Sequence, residues 1–248
     1  MSDSLTTLGA VASKSARDRL PELVAAATRV FTRRGYRAAQ LADLAAEMGV
    51  SEAALYRYVE SKEGLFRLVV RHTLLQEELP DEELPLASPP LEVTLKDIRE
   101  GIGAHTSFPT LEEALRRGRA ADPSLELEGM VRELFALTAL TRAATEMIER
   151  SAREVPELAD LVNKDLRRPL LDGLQTYLER RAHAGQLRRT PDAAATARLV
   201  LETVTWFARH RFSDPDGAAI ADEVAEQTVV DMLVHALVPA DPPGRDTS

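Results

Sequence analysis

Cysteine is absent from the 248-residue chain, which excludes a disulfide framework and any thiolate metal site and is compatible with a reducing compartment. No apolar run approaches the ~20 residues of a bilayer-spanning helix, so a soluble, cytoplasmic protein without a membrane partner is expected. Residues 5–12, LTTLGAVA, faintly imitate a signal peptide, but Asp3 stands where a basic region is required. No stretch alternates apolar and polar residues with period two, so strands are not expected. Basic charge is in deficit, 31 Lys+Arg against 40 Asp+Glu for a formal net charge of −9. H-E-x-x-H, G-x-S-x-G and the P-loop pattern are all missing. Gly101 and Gly103 form a lone G-x-G with no strand before it, and Asp231 with His235 supplies two groups where a metal needs three or four. The sequence therefore predicts no enzyme, no cofactor and no metal site.

What is present has the helical period throughout, and 44% hydrophobic residues suffice for a core. The expected fold is all-α, with an N-terminal three-helix head and a larger helical body. The charge divides unevenly between them. Residues 1–75 carry 11 Lys+Arg against 8 Asp+Glu, and residues 76–248 carry 20 against 32, so a head of +3 precedes a body of −12. That split suits a head that meets phosphates and a body that does not.

Residues 40–59, QLADLAAEMGVSEAALYRYV, are the most informative stretch. Leu41, Leu44, Ala45 and Met48 form one apolar helical face. Gly49 sits where a helix ends with φ > 0, and Ser51 where a side-chain oxygen can cap the next helix, a contribution of about 1 kcal/mol. An ordinary αα-hairpin would look the same up to this point. Tyr56, Arg57 and Tyr58, followed by Ser61, Lys62 and Glu63, then place aromatic hydroxyls and cations beside a short helix, a grouping suited to phosphate oxygens.

The longer run RVFTRRGYRAAQLADLAAEMGVSEAALYRYVESKEGLF resembles the DNA-binding domain of TetR/AcrR-type transcriptional regulators. It shares the phenylalanine and glycine ending helix 1, the D-x-A run, the G-V-S turn, the L-Y-x-[HY] end of helix 3 and the S-K-E-x-L opening of helix 4. The resemblance covers about 60 residues. Carried over by position, it implies that Tyr56, Tyr58 and Lys62 clamp phosphates while Ser51, Glu52, Ala53 and Ala54 face the bases, with Gln40 and Arg57 completing the DNA-binding set. There are four departures. Ala39 and Gln40 replace threonines, so Gln40 must cap helix 2 or leave that end frayed. Ala53 and Ala54 replace glycine and threonine, favouring apolar contact with thymine methyls. Val59 replaces phenylalanine and thins the packing behind Tyr58. Gly64 removes the glutamate that would complete a capping box with Ser61.

The expected organisation is a disordered arm over 1–14, the helix-turn-helix domain over 15–77, a proline-rich linker over 78–90, a ligand-binding and dimerisation domain over 91–238, and a disordered tail over 239–248. Helix 1 is expected from Pro21 to Gly35 and helix 4 from Lys62 to Glu78. The body is expected to hold helices near 91–106, 110–121, 125–154, 157–184, 191–212 and 217–238. The 125–154 helix is apolar on several faces and carries Thr138, Thr141 and Thr145 on one stripe with Leu134, so it could line a small-molecule site. Each hydroxyl could instead bond its own i−4 carbonyl. His105, Phe108, Phe135 and Tyr177 are further ligand-binding candidates. Leu201, Val204 and Ala208, then Val224, Val230 and Val234, are candidates for a homodimer interface, which the resemblance places on two late helices; an intrachain core is the other reading. Trp206 suits interface, pocket or core. The expected function is a homodimeric regulator that binds double-stranded operator DNA and is released by a small-molecule effector. The alternatives are an α-helical small-molecule-binding protein or enzyme with a structural helix-turn-helix, and a DNA-binding protein that answers to a protein partner.

Overall fold

In a computed structural model, residues 17–78, 84–105 and 108–240 are described, with the backbone alone for Arg17 and for 101–105. The expected arm, part of the linker and most of the tail fall outside these residues. All regular structure among the described residues is helical, apart from one parallel bridge between Val59 and Leu86.

The head is built from α1 (Leu20–Arg34), α2 (Leu41–Met48), α3 (Glu52–Leu55) and α4 (Lys62–Thr73). Leu23, Val24, Ala27, Val30 and Phe31 are buried along one face of α1, as their spacing requires. Phe31, Tyr36 and Phe66 pack edge to face at 4.8 and 5.3 Å across the α1–α4 contact. Gly49 takes φ 65° and ψ 33°, and Val50 N–H returns to Ala45 O at 2.9 Å, so the turn closes as expected. Ser51 does not cap α3 through its side chain; only its carbonyl is used, by Ala54 N–H at 2.9 Å. The start of α2 is not frayed, because the Asp43 carboxylate reaches back to Gln40 N–H at 3.0 Å. Ser61 does cap α4, accepting from Glu63 N–H at 3.1 Å, and Glu63 takes the Ser61 hydroxyl in return. The cap that the glycine at 64 was expected to weaken is thus completed by Glu63, one residue earlier. Those hydrogen bonds from Ser61, with smaller help from Tyr36 and Lys62, hold the Glu63 carboxyl below its usual range.

Gly64 has a different use. Residues 84–90 run across the head, with Leu86 N–H donating to Tyr58 O at 2.8 Å and Glu60 N–H to Leu86 O at 3.2 Å. A Cβ on Gly64 would lie 2.5 Å from Ser88 Oγ and 3.0 Å from Ala87 O. This part of the expected linker is therefore a docked strap over α4, and the small Val59 and Gly64 admit it.

The body comprises α5 (Leu91–His105), α6 (Pro109–Arg116), α7 (Pro123–Leu140), α8 (Arg142–Ala152), α9 (Pro156–Asp160), a π-helical segment over Leu161–Arg167, α10 (Arg168–His183), α11 (Ala193–Ala208), α12 (Pro215–Ala218) and α13 (Asp222–Leu237). Three expected long helices are broken. The 125–154 helix divides at Thr141 (φ −93°, ψ 10°), where the Thr138 and Thr141 hydroxyls donate to Leu134 O and Leu137 O at 2.7 and 2.8 Å. Threonine back-bonding bends a helix, and Arg142 Nε secures the bend by donating to Ala208 O at 2.9 Å. The 157–184 helix is interrupted by the π segment, since Pro169 cannot donate to the turn before it. The last expected helix begins only at Asp222, and α4 stops at Thr73 rather than Glu78.

The buried residues fall into two clusters. One joins α1–α4 and Leu86 to Leu95 and Ile98 of α5, to Ala144, Met147 and Ile148 of α8, and to Leu158 of α9. The other unites α6, α7, α10, α11 and α13. Thr141 lies where the chain passes between them. The head is thus packed on α8 through α1.

Candidate DNA-reading surface and effector cavity

The front of α3 is exposed as expected. Ser51, Glu52 and Ala53 face solvent, Ala54 is half-buried, and Leu55 anchors the helix in the core. Tyr56 and Arg57 are exposed on the following turn, and Arg57 makes no ion pair among the described residues. The nearby arginines differ: Arg29 and Arg33 hold Glu47 at 2.7 and 2.5 Å, and Arg34 holds Asp43 at 3.1 Å. Gln40 is exposed at the start of α2, and half-buried Lys62 lies close to it. The Lys62 ammonium donates to Arg37 O at 3.2 Å and sits 4.9 Å from the centre of the Tyr36 ring. Tyr58 departs from expectation. It is buried, with its hydroxyl beside Arg19, so it supports the turn from behind rather than facing phosphate.

A cavity of about 430 Å3 opens between α6, α7, α8, the π segment, α10 and α11. Phe108, Leu134, Thr138, Thr141 and Thr145 line it, as expected. Thr138 and Thr141 nevertheless spend their hydroxyl protons on i−4 carbonyls, as the other reading of the threonine stripe has it. Phe135 and Tyr177 do not line the cavity; both are buried in the body core. Burial pushes the Tyr177 phenol up, with the Glu126 carboxylate adding to the effect, and its hydroxyl lies within hydrogen-bond distance of no acceptor with good geometry among the described residues. The side chain of His105 lies outside the described residues. Pattern reading missed the polar wall made by Glu149, Arg167, Thr205 and Arg209. Arginines on otherwise apolar stripes were the available signal.

The expected interface residues are mostly internal. Leu201, Val204, Ala208 and Val230 are buried in the body core and Val234 is half-buried, because those stripes pack α11 and α13 on α7 and α10. Of that set Val224 remains exposed, and Leu199, Trp206 and Met232 join it on the outer faces of α11 and α13.

Residues 23–69 match the family described as bacterial regulatory proteins, tetR family. The head is a TetR-type domain. No curated protein matches it in sequence. Among solved structures, the chain is similar to the ketosteroid transcriptional regulator KstR2 of Mycobacterium tuberculosis, at TM-score 0.56 and 18% identity over 92% of this chain and 97% of that one. It is also similar to the TetR family regulator PfmR from Thermus thermophilus, at TM-score 0.51 and 21% identity over 92% and 100%. AibR, in complex with isovaleryl coenzyme A and operator DNA, matches at TM-score 0.52 and 17% identity over 87% and 98%. At these identities the likeness is one of fold. With α3 exposed, the head carries a helix-turn-helix of the kind found in bacterial regulatory proteins of the tetR family. No helix among the described residues is long and apolar enough to cross a membrane.

Proposed function

We propose that the protein is a dimeric cytoplasmic repressor whose grip on operator DNA is released by a small molecule bound in the body cavity. Ser51, Glu52 and Ala53, with Ala54 behind them, meet base edges, while Tyr56, Arg57, Lys62 and Gln40 meet phosphates. One short recognition helix reads few base pairs, so two copies are needed, joined through Leu199, Trp206, Val224 and Met232 and reading half-sites ~34–36 Å apart or a multiple of that spacing. A bound effector has a solved counterpart in AibR, described with both isovaleryl coenzyme A and operator DNA.

The observation that carries this reading is the double role of α8. Thr145 and Glu149 line the cavity, while Ala144, Met147 and Ile148 of the same helix are buried with α1 of the head. A ligand that favours another position of α8 therefore favours another position of the head, by no more than its difference in affinity for the two states, typically ~1–3 kcal/mol. Catalytic turnover has no part in this reading. The test is selection of bound sequences from random DNA by the full chain. Recovery of a two-fold-symmetric site supports the proposal, and an unenriched pool removes it. Lys62→Ala should then weaken binding to every sequence and flatten the salt dependence by about one unit per half-site.

A further inference from the structure

We propose that the cavity selects amphipathic acids, seating an anionic headgroup against Arg209 beside Arg167 and an alkyl chain along its leucines. This rests on the effector reading above and names the ligand class.

Arg167 and Arg209 line one end of the cavity, and with Arg198 outside it they pair with two carboxylates. Arg209 Nη2 donates to Glu149 at 2.9 Å, Arg198 Nε lies 2.6 Å from Glu202, and Arg167 pairs with Glu202 as well. That group carries one positive charge in excess. The other acids of the lining do not cancel it: Asp165 is held by Arg99 at 2.7 Å, and Glu112 stands exposed. Burial, then the charge of Arg198, lowers Arg167 from its ordinary value, with Glu149 opposing and Arg209 adding to the shift. Arg209 is only 7% exposed, and its Nε–H has no hydrogen-bond partner among the described residues. A buried guanidinium donor left empty is costly, and an acid headgroup supplies both the acceptor and the missing negative charge. The Thr145 and Thr205 hydroxyls face the same space and make no hydrogen bond among the described residues, so they are free for further headgroup oxygens. An ammonium ligand would meet repulsion there. A neutral alcohol could satisfy Nε–H but would leave the surplus charge. The present partner of Arg209 is Glu149 on α8, so an acid ligand competes directly with the helix on which the head is packed.

The test is calorimetric titration of the full chain with octanoate, octyl phosphate and octanol. Octanoate or octyl phosphate should bind at least about tenfold tighter than octanol, and the tighter of the two acids identifies the headgroup as carboxylate or phosphate. Arg209→Gln should abolish the preference and Arg209→Lys should keep part of it, with circular dichroism checking that each folds. Thr145→Val, a near-isosteric change on the cavity wall, should weaken the preferred acid several-fold and leave octanol unchanged, which decides the matter if the arginine variants do not fold. Octanol binding as tightly as both acids, or no binding by any of the three, overturns the proposal. Operator binding of the same samples is read separately by anisotropy. Acid binding with no effect on DNA would defeat the effector reading while leaving the acid selectivity intact.

Discussion

A Cβ at Gly49 would meet no atom within 4 Å, so glycine is demanded there by φ 65° alone; at Gly64 a Cβ would press on Ser88 Oγ and the Ala87 carbonyl of the strap. Gly49→Ala should therefore cost about 1–2 kcal/mol, the penalty of a left-handed residue. Gly64→Ala should cost ~1–3 kcal/mol, because a backbone carbonyl cannot step aside as a flexible side chain can. Urea unfolding measures both, and hydrogen exchange at Leu86 N–H should rise only in the second. The two tyrosines flanking Arg57 separate in the same way. Tyr56→Phe should lose ~0.5–1.5 kcal/mol of DNA affinity on operator and scrambled duplex alike, while Tyr58→Phe should leave both affinities unchanged, since Tyr58 is buried. Fluorescence anisotropy with the two duplexes distinguishes them. Spacing shows that residue 58 is aromatic and near the groove-facing turn. It does not show which way the ring points, because the Tyr58 hydroxyl lies beside Arg19, just before α1 and some forty positions earlier.

At the scale of elements, what was legible was what is local. The apolar stripe of α1, the left-handed Gly49 turn and Pro123 in the first turn of α7 all act through neighbours a few residues away. The breaks were not legible as such, although their agents were in view. Thr138, Thr141 and Pro169 each occur in apolar periodic runs, and whether such a residue bends a helix depends on what secures the bend, here Arg142 reaching Ala208 O and Asp222. Buried arginines were equally hidden. Arg181 is fully buried on α10, where it donates to Glu126 at 2.7 and 3.0 Å and to Ala114 O at 2.9 Å, tying α6 and α7 to α10. Removing it strands the largely buried Glu126, so Arg181→Met should destabilise by ~3–5 kcal/mol, and Arg181→Met with Glu126→Leu should recover much of that loss. Chemical denaturation of the single and double variants reads the difference. If the single variant keeps wild-type stability, Arg181 is not the tie between these helices.

Over the whole molecule, the acidic body and basic head describe one protein with opposite electrostatic tasks, and α8 connects them by packing rather than by charge. The sequence leaves the threonine stripe open between a small-molecule site and back-bonded hydroxyls, and the charged wall of the cavity is not legible in it, since that wall comes from α8, the π segment and α11, brought together only by the tertiary fold. The residues expected at a dimer interface are internal for a similar reason: the periodic stripes of α11 and α13 serve the chain's own core, and the apolar residues opposite them remain outside. Trp206→Asp with Met232→Lys should accordingly give a folded monomer, detected by sedimentation. The most direct trial of the account is sedimentation and anisotropy of the purified chain with its selected duplex across a salt series. The account predicts two chains per duplex, or a multiple of two, and affinity that falls steeply as salt rises. A chain that stays monomeric, or that leaves the duplex unbound at low salt with no effector present, would contradict it.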